Sequence, residues 1–566
     1  MASIDRTALR AQLREQVSGP GGFCELVVED VRGLQLPVFK NRKRSLRELL
    51  ASTEERADVE YLVEGERRIS YGEHVRRVAS VAAALEQRFG IGKGDRVAIL
   101  SANCTAWPIT FWATVSLGGI VAALNGWWTR DEIEYGLAHS APRVLVADRK
   151  RLERLEGLPP GMEVVEIESM FAELEAFAPD APLPGVPLAE DDPATILYTS
   201  GTTGRPKGAV GSQRSLVGFV DGAVGSGLLG VLVDKAAAGE GGLDGPRSQN
   251  VSLAAAPMFH VSGLYGSIVL QLALGGKLIL APGRFDAGRI LGLIEKERIT
   301  QFPALGSMGH RVAAHPDLSR RDLSSVTNIG FGGAPASPAL QETMRQAFPN
   351  ARQNVGIGYG SSETVAVAAQ FGGVDYIENP EATGFVALGH EIEIRDDEGG
   401  VLPVGREGRI FVRSAWTMLE YWGDPEATAA TIGPDRFLET GDIGRLDDRG
   451  LLYINSRARD MILRNAENIY PVEIEYRLDQ NPAVRESAVY GVDHSQWGQE
   501  VKAVVVPEPG REISAEELAK WCGETLAAYK VPTAWEIRTT PLPRNPAGKV
   551  LKNVLAGEAA NVLVDD

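Results

Sequence analysis

Residues 195–208 read TILYTSGTTGRPKG: an apolar strand runs into a loop of glycines and hydroxyls that Lys207 closes. Gly201 and Gly204 let backbone N–H groups come close to an anion. Thr199, Ser200, Thr202 and Thr203 add hydroxyl donors, and the Lys207 ammonium neutralises phosphate charge. The stretch is not a Walker loop, because Gly208 follows Lys207 where that motif requires Ser or Thr. A plain flexible turn is the competing reading. A loop this dense in donors and ending in a cation points instead to phosphate binding at the end of a buried strand.

The chain on either side repeats one theme: helix, Gly-rich turn, apolar strand. Ser70 and Glu73 have capping-box spacing, and Val75, Val78, Val81, Ala82 and Leu85 follow at helical spacing. The turn 90–95 ends that helix, and residues 97–100 read as a buried strand. A second unit runs from a helix over 131–137 into a strand over 144–147. Such alternation predicts an α/β fold of mainly parallel sheets covered by helices. Residues 221–249 are rich in Gly and Ala and read as a surface insertion or mobile loop. Beyond about residue 384 the texture becomes β-rich, with strands expected at 391–395, 409–412 and 451–454. A smaller α+β module follows from about 460, with strands at 487–491 and 501–506 and a helix over 515–528.

Length and charge bound the function. The 566 residues suffice for several cores, and a net charge of −17 argues against a nucleic-acid binder. Cys24, Cys104 and Cys522 form no pair with metal-ligand or disulfide spacing, so a reducing, cytoplasmic setting is expected. The charged N-terminus lacks the apolar core of a signal peptide. The apolar stretches 112–128 and 266–282 carry paired glycines and fall short of the roughly 20 residues a bilayer span needs. No transmembrane segment is expected; peripheral membrane contact and a homodimer stay open.

With the later segments added, the 195–208 loop closely resembles the phosphate loop of the superfamily of acyl-CoA synthetases, peptide-synthetase adenylation domains and luciferases. The matching segments appear in the family's order: Gly332-Gly333-Ala334-Pro335, Tyr359-Gly360-Ser361-Ser362-Glu363-Thr364, Glu439-Thr440-Gly441-Asp442, Ser456-Arg457-Ala458-Arg459-Asp460, Glu467-Asn468-Ile469-Tyr470-Pro471, and Pro543 through Lys549. The resemblance covers roughly residues 45–555.

The resemblance implies a large N-terminal adenylation domain over 1–458, made of helix-covered sheets plus a β-rich subdomain. It implies a small mobile α+β lid over 459–566, with Arg459 at the hinge. Gly333, Ala334 and Pro335 would line the adenine side and Tyr359 would stack on the base. Gly360, Ser361 and Ser362 would join the phosphate contacts. Glu363 would hold Mg²⁺, a hard cation suited to carboxylate oxygen. Asp442 would take the ribose hydroxyls, with Arg457 beside it. Lys549 would stabilise the charge built when a carboxylate attacks the α-phosphorus of ATP. Asn465, Ala466 and Glu467 fall where the family lines its coenzyme A tunnel.

Four departures from the family pattern matter. Ser362 keeps the hydroxyl of the usual Thr, and Ser456 replaces a Gly. Asn465-Ala466 replaces Gly-Gly, which bears on thiol contact because Ala adopts positive φ poorly. Gln213 stands where many relatives carry His.

On the acyl side, Phe259, His260 and Gly263 resemble the segment flanking the family's acyl pocket, with Gly332 and Gly358 leaving room beside it. Peptide-synthetase domains carry an Asp just after this Phe to hold an amino group. His260 in its place argues for an acid without one; fatty, aromatic and steroid-like acids all remain open. The implied activity is ATP-dependent activation of a hydrophobic carboxylic acid and its transfer to coenzyme A. The alternatives are transfer to a separate carrier protein's phosphopantetheine, luciferase-like oxidation, and a degenerate nucleotide-binding regulator.

Overall fold

The computed structural model describes residues 5–558 apart from 200–204, 241–247, 282, 284, 306–307, 334–335, 458–459, 465–466, 495–496 and 546–547. Helix α1 (Arg6–Ser18) precedes a two-stranded hairpin. Strands β1 (Pro193–Thr199) and β2 (Lys207–Ser212) pair antiparallel, placing Lys207 opposite Thr199, and helix α2 (Gln213–Ala237) leaves directly from β2. Strands β3 (Asn328–Gly332), β4 (Val355–Ser361) and β5 (Ala366–Gly372) are neighbours in the largest sheet. Strands β6 (Leu438–Leu446) and β7 (Leu451–Arg457) form a hairpin, and helix α3 (Pro471–Asp479) belongs to the C-terminal module.

Three larger sheets organise the described residues, with six, thirteen and five strands. In the first, Arg96–Leu100, Ile120–Ala123, Val144–Ala147 and Glu163–Glu166 run parallel, β1 joins parallel to Ile120–Ala123, and β2 closes the edge antiparallel. The second is parallel through β3 and β4 and turns antiparallel from β5 onward. The parallel strands expected at 97–100 and 144–147 lie in the first sheet, and the strands expected beyond residue 384 lie in the antiparallel part of the second. The third sheet lies in the separate small C-terminal module, with strands between Ile462 and Ile537.

Local signals explain why these elements start and stop where they do. Ser70 accepts a hydrogen bond from the Glu73 N–H, capping the Tyr71–Phe89 helix, and Gly90 ends it at φ 64°. Thr129 and Glu132 form a full capping box on Arg130–Ser140. Stretch 112–128 contributes the end of the fully buried Ala106–Ser116 helix and the Ile120–Ala123 strand. Stretch 266–282 supplies a helical turn and the strand Lys277–Leu280. All three cysteines are free thiols.

The expectation of a loop over 221–249 is corrected: α2 is a 25-residue helix reaching Ala237. Its glycines serve packing rather than turning. A Cβ on Gly218 would lie 2.7 Å from the Trp416 ring, and one on Gly225 would lie 2.9 Å from the Cys24 sulfur. Tertiary close approach outweighs the roughly 1 kcal/mol helix cost of each Gly. By length and composition α2 alone among the described helices could cross a membrane, with mean hydropathy 1.9, yet half of that window is buried in the fold. The helix expected over 515–528 is also shorter, ending at Gly523.

Candidate active site

The expected nucleotide side draws on β4, β6 and β7, which lie in the same sheet. Tyr359 on β4 donates its phenol hydrogen to Asp442 Oδ2 at 2.7 Å. Asp442 on β6 lies opposite Arg457 on β7, whose Nε is 3.5 Å from Asp442 Oδ1. Burial pushes the Asp442 carboxyl above the usual carboxylate range, while Arg457, the Tyr359 hydrogen bond and the Lys549 charge pull it back. A carboxylate held between a cation and a phenol is poised to accept hydroxyl hydrogens.

The phosphate side combines three segments. Lys207 begins β2, with its Nζ 5.0 Å from the Tyr421 ring centroid. The turn after β4 is tied reciprocally: Ser361 N–H donates to Thr364 Oγ1 at 2.8 Å, and Thr364 N–H donates to Ser361 Oγ at 3.2 Å. Val365, two residues after Glu363, takes φ 52°, a strained setting for a β-branched residue. Glu363 Oε1 accepts a 2.9 Å hydrogen bond from the Tyr421 hydroxyl. Among the described residues no group of three or more His, Cys, Asp or Glu converges as a metal cage. A single carboxylate such as Glu363 fits Mg²⁺, which takes one or two carboxylates and completes its shell with phosphate and water.

Lys549 sits in a tight turn of the small module. Asn545 Oδ1 accepts from the Lys549 N–H at 2.9 Å, Asn545 N–H donates to the Lys549 carbonyl at 2.8 Å, and Arg544 and Val550 form a bridge across the turn. Gly548 takes φ 81°, the left-handed setting this turn requires. Tyr359, Glu363, Asp442, Arg457 and Lys549 line one cavity of about 2610 Å³.

The same cavity continues between α2 and the face of β3 and β4. Gly332 and Gly358 are register partners there, and Phe219, Val224 and Leu228 on α2 form the opposite wall. His260 also lines it; burial holds its imidazole neutral, with a pKa down to about 4, and its Nε2 has no hydrogen-bond partner among the described residues. Phe259 is buried behind, 6.0 Å from Trp127 in an edge contact. Gly263 serves the backbone: a Cβ would lie 2.0 Å from the Pro257 carbonyl oxygen.

Thr199 ends β1, its hydroxyl 3.5 Å from the Lys207 carbonyl oxygen. Gly333 takes φ 71°, and Gly360, Ser361 and Ser362 line the cavity. Glu467 is exposed at the start of a short strand. Ser200, Gly201, Thr202, Thr203, Gly204, Ala334, Pro335, Arg459, Asn465 and Ala466 lie outside the described residues. Gln213 is fully buried, accepting from Leu46 N–H at 2.8 Å and donating to the Val115 carbonyl at 3.3 Å, so it anchors the start of α2.

Sequence reasoning missed Tyr421. Residues 418–422 form a strap along β2: Leu419 N–H donates to the Val210 carbonyl, and Trp422 N–H donates to the Gly208 carbonyl. Nothing local marks Tyr421, because Glu363 and Lys207, the site residues its side chain touches, lie far away in sequence.

Two family models match the chain: AMP-binding enzyme over residues 49–422, and AMP-binding enzyme C-terminal domain over 473–549. A feruloyl-CoA synthase from Amycolatopsis sp is 34% identical over 86% of this chain and 92% of its own. The long-chain-fatty-acid–CoA ligase FadD13 of Mycobacterium tuberculosis is 31% identical over 85% of this chain and 90% of its own. The anthranilate CoA ligase AuaEII, solved in complex with anthranoyl-AMP, superposes with a TM-score of 0.81 at 25% identity, covering 91% of this chain and 97% of that one.

Proposed function

The chain belongs to the AMP-binding enzyme family, as an AMP-forming acid–thiol ligase, and from that premise we propose that it joins a hydrophobic carboxylic acid to coenzyme A at the expense of ATP. The observation that carries this reading is the convergence of Tyr359, Glu363, Asp442, Arg457 and Lys549 on one cavity that continues along an apolar wall. Relatives acting on ferulate, long-chain fatty acids and anthranilate support a bulky apolar acid and leave its class open.

The residues divide the work as follows. Asp442 and Arg457 hold the ribose, and Tyr359 offers its ring face to adenine. Thr199, Ser361, Ser362 and Lys207 face the phosphates, and Glu363 holds the magnesium ion. Bound there, the ion neutralises phosphate charge. A carboxylate oxygen of the acid attacks the α-phosphorus, the bond to the β-phosphate oxygen breaks, and pyrophosphate leaves. Lys549 stabilises the negative charge that develops on the α-phosphoryl oxygens. The thiolate sulfur of coenzyme A then attacks the acyl carbon and expels AMP. His260, neutral at working pH, flanks the acid without adding a charge to an apolar channel.

The domain division proposed is 1–458 and 459–566, with the small module as a mobile lid. The turn holding Lys549 travels with that module. The boundary itself falls outside the described residues.

Purified protein given ATP, Mg²⁺ and a panel of ferulate-like, fatty and benzoate-like acids tests the reading. Acid-dependent pyrophosphate release that coenzyme A accelerates, with the acyl thioester as product, supports it. Adenylate that forms but ignores coenzyme A would move a carrier-protein acceptor ahead. No pyrophosphate with any acid would contradict the reading.

A further inference from the structure

We propose that Tyr421 is a positioning residue that sets the Glu363 carboxylate and the Lys207 ammonium relative to one another, joining the metal-holding and phosphate-holding sides of the site. The inference rests on the ATP-site reading above.

Three independent contacts place Tyr421 between the two. Its hydroxyl donates to Glu363 Oε1 at 2.9 Å. The face of its ring lies 5.0 Å from Lys207 Nζ, within cation–π range. Its backbone is fixed from both sides: Met418 N–H donates to the Glu363 carbonyl at 2.9 Å, and Ala209 and Tyr421 form an antiparallel bridge next to β2. The ring is buried, with 6% of its surface exposed, so it has little freedom to swing away.

Anchors behind the strap hold it in place. Tyr421 N–H donates to Thr428 Oγ1 at 2.9 Å. Arg436, in the left-handed region at φ 61°, donates to the Met418 carbonyl at 2.7 Å. Such an arrangement exceeds what filling a core position requires: a Phe would fill the same space and meet the same Lys. The hydroxyl adds the bond to Glu363 and a contact with Thr431 behind the ring. By occupying Oε1, it restricts which lone pairs of the carboxylate remain for a metal ion.

Tyr421→Phe keeps the ring and removes that bond, and Glu363→Gln removes the charge it orients. The readout is Mn²⁺ retained by the protein–ATP complex, followed from the free-Mn²⁺ paramagnetic resonance signal with no acid or thiol present. Tyr421→Phe should weaken retention roughly ten-fold, the scale of one hydrogen bond to a charged group. Adding it to Glu363→Gln should then change nothing further, since the partner it positions is already disabled. Thermal unfolding of Tyr421→Phe close to wild type shows that the fold is intact. Wild-type retention in Tyr421→Phe, or equal losses in both backgrounds, would overturn the inference while leaving the site reading standing. A wild-type protein that retains no Mn²⁺ with ATP would overturn the reading and the inference together.

Discussion

Tyr359 and Asp442 share a 2.7 Å hydrogen bond across 83 residues of sequence, which locks the ring expected to face adenine to the carboxylate expected to take ribose. The bond lowers the Asp442 pKa against the upward push of burial. Tyr359→Phe should therefore raise that pKa, so the acidic limb of ATP binding moves to higher pH. ATP affinity near neutrality should drop about three- to ten-fold, the range of one such bond. A pH profile of ATP KM checks this; an unmoved acidic limb contradicts it.

Lys549 is expected to matter for the charge of the transition state more than for binding. Lys549→Ala should cost about 10²–10³ in adenylation rate, the scale of one lost oxyanion donor. ATP affinity by calorimetry should stay within about three-fold, because the remaining ribose and phosphate contacts persist. Comparable losses in both would make Lys549 an ordinary binding residue.

The acyl channel should report its size through Gly332. A Cβ there meets the Gly358 carbonyl oxygen at 3.4 Å and Leu305 at 3.6 Å, ordinary or slightly tight contacts, so Gly332→Val is tolerated while taking cavity space. Such a variant should keep compact acids and lose bulky or long ones by roughly ten-fold or more in kcat/KM. Uniform loss across the acid panel would place the acyl group elsewhere.

His74 provides a stability test away from the site. Its ring is fully buried, edge-on to Tyr61 at 4.9 Å, and neither ring nitrogen has a hydrogen-bond partner among the described residues. Burial holds its pKa down to about 3, against 6.5 ordinarily. Between those values the unfolded chain binds a proton that the native state refuses, so this group makes stability fall as pH falls through that window. His74→Phe should raise stability by about 1–3 kcal/mol near neutrality, by removing unpaired buried nitrogens. Its advantage should grow toward pH 5, as denaturant unfolding at several pH values would show.

What could be read from the chain alone was whatever short-range chemistry encodes. Ser70, Glu73 and Gly90 announced their helix because caps are local, and the strand leading into the 195–208 loop was legible in its apolar run. Lys549 stood out only through the segment from Pro543 that it closes, not through any property of its own. The stretch 221–249 misled because Gly222 and Gly225 look like turn residues. Their reason, contact with Trp416 and Cys24, exists only in three dimensions. Tyr421 was invisible for the same cause, since its meaning lies in Glu363, 58 residues away, and in the facing Lys207.

The central claim, that a carboxylate attacks the α-phosphorus of ATP in this cavity, is tested most directly with an acid labelled with ¹⁸O in its carboxyl group. The acid is turned over with ATP and coenzyme A, and the AMP is weighed by mass spectrometry. Adenylation followed by thiol attack at the acyl carbon leaves one carboxyl oxygen on the phosphate, so AMP carrying a single ¹⁸O is the expected result. Unlabelled AMP, or ADP in its place, would contradict the account.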